Sequence, residues 1–409
     1  MSSMEFEYVK VNQLFLDKKI MTISPTIKIK TDDIKNIGST AIISQDQQFI
    51  VGYTDLVDKK LKDGPFTIFG DHTEIFKYVD FPFVQGADGI KILKADDKNI
   101  DSKFLYYALM GCYYPTGFYQ RHYKLLKKTY IPDLYIEYQK KVASILNKYD
   151  QLIENNNKRI KILEDMAESL YKEWFVRFRF PGYENGSKKD SEIGKIPFNF
   201  SVLKVNEILE YYVGGGWGND DYSEDYPIDA YVIRGADFPL VKKSDISTCP
   251  YRYHKVSNYE PRILKENDIV FEISGGTAEQ PVGRAIIVTN GILKQLSNKV
   301  ICASFCKLIR PNYKLITPNY FYYWLKYLYD TRIIDRYQLQ STGIINFKFE
   351  YFLKKGFVMI PDMNLMQAFE KQVKEIRNEI DNLAIQNSKL MKQRDALLPR
   401  LMSGKLEVK

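Results

Sequence analysis

The sequence predicts an α+β protein of two globular domains and two long helices, the helices pairing as an antiparallel coiled coil within a pseudo-twofold duplication. Three observations predict it. From about Met366 to Met402, Phe369, Val373, Ile376, Ile380, Leu383, Leu390, Leu397 and Leu401 recur at alternating steps of four and three, with Asn387 and Arg394 as polar steps. That spacing is the seam of a coiled coil. The series Val142, Ile145, Tyr149, Leu152, Asn156, Arg159, Leu163, Met166, Leu170 repeats it upstream, and Asn156 and Asn387 stand 231 residues apart on the same step. Finally, short matches recur in the same order along the chain, as expected of one repeated unit.

Taken in order, Lys10-Val11-Asn12 matches Lys204-Val205-Asn206, and Ile90-Lys91-Ile92-Leu93 matches Cys306-Lys307-Leu308-Ile309. Phe104–Leu109 matches Tyr320–Leu325, and Thr116-Gly117 matches Thr342-Gly343. Leu126-Lys127-Lys128 matches Leu353-Lys354-Lys355, and Ile131-Pro132-Asp133 matches Ile360-Pro361-Asp362. The offset climbs from 194 to 229 and reaches 231 in the helices, so the second copy carries loop insertions. Within each globular part, β-rich runs such as Phe66–Phe69, Ile269–Ile273 and Ala285–Val288 alternate with Gly, Asn and Asp turns. The Phe104 and Tyr320 segments read as short helices whose aromatic faces form core. Each Ile-Pro-Asp breaks regular structure and offers a capping Asp to the long helix that follows. Pro181–Asp190 reads as a polar Gly/Ser/Lys linker. The division expected is 1–131, first globular domain; 132–180, first helix; 181–197, linker; 198–359, second globular domain; 360–409, second helix.

Composition narrows the function classes. At 409 residues the chain exceeds one ordinary core, and its 45% hydrophobic content belongs to a folded protein. A net charge of +8 suits a polyanionic partner. Cys112, Cys249, Cys302 and Cys306, with only three His, do not make a zinc pattern and read as reduced core thiols. The start has no apolar signal core, and no stretch approaches the ~18 apolar residues of a membrane span, so a cytoplasmic protein without membrane contact is expected. Gly214-Gly215-Gly216-Trp217-Gly218 and Ser274-Gly275-Gly276-Thr277 lack the Gly-Lys-Ser/Thr ending of a P-loop and read as turns. Arg310-Pro311-Asn312-Tyr313 only superficially resembles the Asn/Asp-Pro-Pro-aromatic signature of an amino-methyltransferase. With His72, His122 and His254 as its histidines, the chain has little for metal or triad chemistry. The expectation is therefore no catalytic residue, no metal and no cofactor. Duplicated modules without a catalytic constellation point to recognition.

Three stretches carry a resemblance. They are Ile162–Phe178 (ILEDMAESLYKEWFVRF), Ser191-Glu192-Ile193-Gly194-Lys195-Ile196-Pro197, and Leu397–Leu406 (LLPRLMSGKL). On these the chain resembles the DNA-specificity subunit of Type I restriction–modification systems, over its whole length. The resemblance implies that the globular parts are target-recognition domains, each reading half of a bipartite, asymmetric double-stranded DNA site. It implies a spacer of two antiparallel helices and partner methyltransferase subunits that carry S-adenosylmethionine. ATP and Mg are expected only on partner subunits, including an endonuclease/translocase where one is present. The two domains resemble different subtypes. The first has Gly70-Asp71-His72-Thr73 and Phe83–Gly89, and the second Gly214-Gly215-Gly216 and Lys265–Phe271. Phe200 stands where the family often has Trp.

Candidate residues follow. Gly70, Asp71, His72 and Thr73 form either a DNA-touching loop or an Asp-initiated turn. Arg121, His122 and Lys124 are either phosphate contacts or a solvated face. Gly275, Gly276 and Thr277, with Arg284, either let DNA approach the backbone or form a hairpin turn. Trp174 and Phe175 either dock a methyltransferase subunit or pack on the second domain. Helix pairing is assigned to Val142, Tyr149, Leu152, Asn156, Leu163 and Leu170, against Val373, Ile380, Leu383, Asn387, Leu397 and Leu401. The competing reading is a coiled-coil scaffold that binds only protein.

Overall fold

The computed structural model describes residues 6–24, 29, 33–86, 89–118, 120–183, 186–277, 280–341, 344–406 and 408. The chain forms two compact units, residues 1–153 with 389–409, and residues 154–388. Two helices contribute to both: α4 (Ile136–Tyr171) and α10 (Met363–Met402).

The first unit holds strands β1 (Tyr8–Lys10), β2 (Ile20–Ile23), β3 (Thr40–Ile43), β4 (Gly52–Thr54), β5 (Phe66–Gly70), β6 (Phe76–Val79), β7 (Phe83–Gln85), β8 (Ile90–Ala95) and β9 (Tyr130–Pro132), with short helices α1 (Val11–Leu16), α2 (Ser102–Cys112) and α3 (Tyr123–Leu126). β5 is apolar at nearly every position and buried throughout, as a central strand must be. It lies in a sheet of order β2-β8-β5-β6, antiparallel at each pair. A second sheet has order β4-β3-β7, with β3 antiparallel to β4 and parallel to β7. Asp101 caps α2 by accepting from Phe104 N at 2.8 Å, and Phe104, Leu105, Tyr107, Ala108 and Leu109 are buried. They share a core with Val142, Ala143 and Leu146 of α4 and with Leu398, Leu401 and Met402 of α10. The packing is close: a Cβ on Gly111 would lie 2.9 Å from Leu398 Cγ.

The second unit holds β10 (Lys188–Lys189), β11 (Ile196–Pro197), β12 (Ser201–Lys204), β13 (Leu209–Gly214), β14 (Ile228–Ile233), β15 (Tyr251–His254), β16 (Ile269–Glu272), β17 (Ser274–Gly276), β18 (Ala285–Ile287), β19 (Val300–Cys302), β20 (Cys306–Pro311), β21 (Gln338–Ser341), β22 (Ile344–Phe347) and β23 (Phe357–Ile360). Its helices before α10 are α5 (Phe238–Val241), α6 (Val256–Tyr259), α7 (Asn290–Gln295), α8 (Pro318–Asp330) and α9 (Phe349–Lys355). The strand orders β13-β20-β16-β18 and β15-β14-β19 repeat those of the first unit, including one parallel pair, β14 with β19. β12 pairs with β23 as β1 pairs with β9. Only the second unit, among the described residues, adds a sheet of order β17-β22-β21. Thr342-Gly343 of the repeat lies outside the described residues, as do 87–88 within Phe83–Gly89.

Tyr320, Phe321, Tyr322, Tyr323, Trp324 and Leu325 of α8 are all buried, together with Tyr171, Trp174 and Phe175 and with Met366, Phe369 and Val373 of α10. Both aromatic segments are thus core, and Trp174 and Phe175 pack on the second domain. The second half of the 181–197 segment is more ordered than a linker: β10 and β11 form a hairpin, and Ile196 is buried.

Helix contacts correct one row of the seam. Within the second unit, Ile160 packs with Ile380, Leu383 and Ala384, and Asn156 Nδ2 donates to Asn387 Oδ1 at 2.9 Å. Arg159 pairs with Glu379 at 2.7 Å, and Tyr171 meets Phe369. Val142, Val373, Ile380, Leu383 and Leu401 are buried, while Tyr149, Leu163, Leu170 and Leu397 are half-buried. Leu152 and Met166, however, are 51% and 52% exposed. The partners of the row 142, 149, 156, 163 in α4 lie four residues on, at buried Leu146, Ile160 and Ala167, with Ile153 half-buried. α4 has apolar residues on both flanks of that row, so spacing alone leaves the choice between three and four steps open.

Candidate nucleic-acid interface

In the first unit the β5–β6 connection, residues 71–75, is a tight turn. Glu74 N donates to Gly70 O, and Gly70 N to Ile75 O, each at 2.9 Å. Asp71 faces inward, its carboxylate accepting from Tyr123 N at 2.7 Å at the start of α3. Its carbonyl accepts from His122 N at 2.8 Å. Asp71 thus ties this turn to the start of α3. His72 Nδ1 lies 3.2 Å from Gln120 O, and Thr73, which is exposed, donates to Gln45 O at 2.7 Å. Gly70 is buried; a Cβ there would lie 2.1 Å from Thr73 Oγ1.

The basic cluster divides. Arg121 and Lys124 are exposed, but His122 is fully buried, with Nε2 2.9 Å from Phe118 O and Nδ1 3.0 Å from Glu74 Oε1. His122 thus does not stand on the solvated face with its neighbours. Glu74 accepts from Tyr113 Oη at 2.7 Å, Thr116 N at 2.9 Å and Gly117 N at 3.2 Å. Burial raises this carboxyl, but those hydrogen bonds, with His122 beside it, bring it below its ordinary range. Above them Tyr114 is 85% and Phe118 75% exposed. Sequence reasoning missed both, although Tyr113-Tyr114-Pro115-Thr116-Gly117-Phe118 crowds aromatics around Pro and Gly where helical periodicity stops.

In the second unit the equivalent connection, between β16 and β18, contains β17, which pairs with β22. Gly275 is exposed at φ +100°, a conformation L side chains rarely adopt. The segment is a strand rather than a hairpin turn, and after it Thr277 N donates to Gln280 O at 2.8 Å. Arg284 is turned inward: it donates to Glu272 at 2.8 Å and to Gly235 O at 2.9 Å. An arginine so paired is not a ready phosphate contact. Beside it a cavity of about 580 Å³ is lined by Trp217, Arg234, Glu272, Gly275, Gln280, Ser304 and Phe305, among others. Phe305 is 62% exposed. The glycine run before Trp217 permits a close approach, since a Cβ on Gly215 would lie 2.1 Å from Ala303 O.

Burial pushes the Cys249 and Cys302 thiols up to about 12 and Cys112 up to about 11. Among the described residues, no cluster of His, Cys, Asp and Glu is placed to hold a metal ion, and no helix is long and apolar enough to cross a membrane.

No family model matches the chain. Individual relatives do. The MjaIX specificity subunit of a Type I restriction enzyme, from Methanocaldococcus jannaschii, is 29% identical over 284 residues, covering 69% of this chain and 62% of that protein. The MjaVIII specificity subunit from the same organism is 24% identical over 334 residues, covering 78% of this chain and 74% of the relative. The match to the first thus spans less than two thirds of its length. In fold, the chain is similar to the crystal structure of a Type I restriction–modification S subunit from M. genitalium, with a TM-score of 0.52 and 14% identity over 100% of this chain and 99% of that one. In sequence the chain is thus similar to specificity subunits of Type I restriction enzymes, and in fold to a Type I S subunit.

Proposed function

We propose that this chain is the DNA sequence-recognition subunit of a Type I restriction–modification complex, directing partner methyltransferase and endonuclease/translocase subunits to a bipartite, asymmetric site in double-stranded DNA. One observation carries the reading: the same two sheet topologies occur twice, with dissimilar connections at the same point, a tight turn at 71–75 and an added sheet around β17. Equal scaffolds with unequal loops suit two readers of different half-sites. We read the repetition as a duplication of target-recognition domains, residues 1–131 and 198–359. The long helices are read as an antiparallel coiled-coil spacer. Along α4, positions 150, 156, 159 and 171 meet 394, 387, 379 and 369 of α10, so one series rises as the other falls. The subunit is non-catalytic and cytoplasmic; S-adenosylmethionine, ATP and Mg belong to its partners. Exposed cations such as Arg121 and Lys124 supply phosphate contacts, so affinity for DNA falls as salt rises.

The test is co-expression with its methyltransferase and genome-wide mapping of methylated bases. A two-part motif is expected, and exchanging residues 1–131 for the same domain of a relative changes one half only. If both halves changed, or neither did, the domains would not be separate readers.

A further inference from the structure

We infer that segment 113–118 of the first unit is a pre-formed reading loop whose Tyr114 and Phe118 rings contact the DNA bases of one half-site, with Glu74 as its positioning residue. The inference rests on the recognition reading above and adds residues to it. The loop leaves the end of α2, where Tyr113 is buried in edge contacts with Phe69 and Phe76. Its backbone is then gathered from within. The Glu74 carboxylate, only 8% exposed, takes the amides of Thr116 and Gly117 and the hydroxyl of Tyr113, and His122 holds the Phe118 carbonyl. Glu74 itself sits at φ +57°, a conformation uncommon for a residue with a side chain. Buried charge, left-handed backbone and several hydrogen bonds converge on one surface segment, and two large aromatic side chains emerge from it.

Exposing a tyrosine and a phenylalanine on a fastened loop costs solvation, and a mobile loop would fold such rings inward. Exposed themselves, and followed a few residues on by exposed Arg121 and Lys124, they suit a polyanion with flat apolar faces. Rings on a rigid support stack on bases or wedge between base steps without ordering the loop at the moment of binding.

The test uses the full complex with its methyltransferase, measuring methylation rates on duplexes that carry the mapped site or single-base changes in either half. Tyr114→Ala and Phe118→Ala are each expected to lower methylation of the cognate site by roughly 5- to 100-fold. They should also relax discrimination in one half-site while leaving the other half, the salt slope and the melting temperature unchanged. Glu74→Ala should reproduce the relaxed discrimination, and Glu74→Gln, which keeps an acceptor oxygen, should recover part of it. Should Glu74→Ala fail to fold, the two surface variants still decide the matter. Wild-type rates and specificity in both ring variants would overturn the inference. So would loss of complex assembly, which would make the rings a protein contact. A wild-type complex that methylates no two-part site would sink the recognition reading, and the inference with it.

Discussion

Asp150 of α4 and Asp381 of α10 stand 231 residues apart, on the same step of the two long helices. Each ties its helix to a globular part of its own unit, by different means. Asp381 is buried and reaches Ser244, Thr289 Oγ1 at 2.9 Å and Gly291 N at 3.1 Å. Asp150, 25% exposed, accepts from Tyr107 Oη at 2.5 Å and pairs with Arg394 at 2.6 Å. The two helices carry the same charge at the same step, with different partners. The second unit fastens its helix through two hydroxyls and an amide in the first turn of α7, the first through a helix tyrosine and the opposite long helix. What the two units share here is the place where helix and domain are joined, not the bonds that join them.

The largest expected effect tests that contrast. Asp381→Ala removes the one acceptor shared by three donors and should cost about 3 kcal/mol, against about 1 kcal/mol for the better-solvated Asp150→Ala. Chemical denaturation of both variants measures it; equal losses would mean the two junctions are equivalent after all. Next is the seam. Ile160→Ala should cost roughly 2–3 kcal/mol and Leu152→Ala less than about 0.5 kcal/mol, because only the first empties a buried site. The reverse order in thermal melts would restore the seam row read from spacing.

A third effect is confined to the first unit. Burial pushes the Lys77 ammonium down to about 8, despite nearby Asp46, and it donates to Ser44 O at 2.9 Å and Gln48 O at 2.5 Å. The folded chain gives up this proton near pH 8, whereas the unfolded chain holds it to about 10.4. Stability relative to Lys77→Met should therefore rise between those values, by no more than about 3 kcal/mol, and stay flat below them. A difference that falls over the same window in pH-dependent denaturation would reverse the sign. The smallest effect lies at Asn156 and Asn387, where Asn156 also donates to Gln386 and Asn387 to Asn157, each at 2.9 Å. Changing both to Leu should raise stability by about 1 kcal/mol and loosen helix register, since a satisfied polar layer favours one pairing at some cost in stability. A lower melting temperature would show the layer to be stabilising in its own right.

The repeat was legible because its matches fall where backbone geometry is strict. Ile90–Leu93 and Cys306–Ile309 lie in central strands, and the two Ile-Pro-Asp breaks end β9 and β23 before the long helices. The Asn pair was legible because polar residues in a seam have few places to go. The second seam row was not, since Leu152 and Ile153 are both apolar and burial alone separates them. At the candidate site, composition marked Arg284 and His122 as basic, but charge says nothing of direction. Both face buried carboxylates, Glu272 and Glu74, that lie far away in sequence or across a turn. Glu74 carried no motif at all; its importance arises from donors roughly 40 residues downstream.

The first unit is assembled from two separated stretches of chain, and the second from one. During synthesis the consequence is an inverted order of completion. Residues 154–388 contain everything their compact unit requires and can close as soon as they emerge. The first domain is made earlier yet must wait for Leu398, Leu401 and Met402 to fill the core beside Val142 and Leu146. At about 5–20 residues per second the wait is on the order of tens of seconds. Of the two units, the one whose synthesis starts first is the second to be completed.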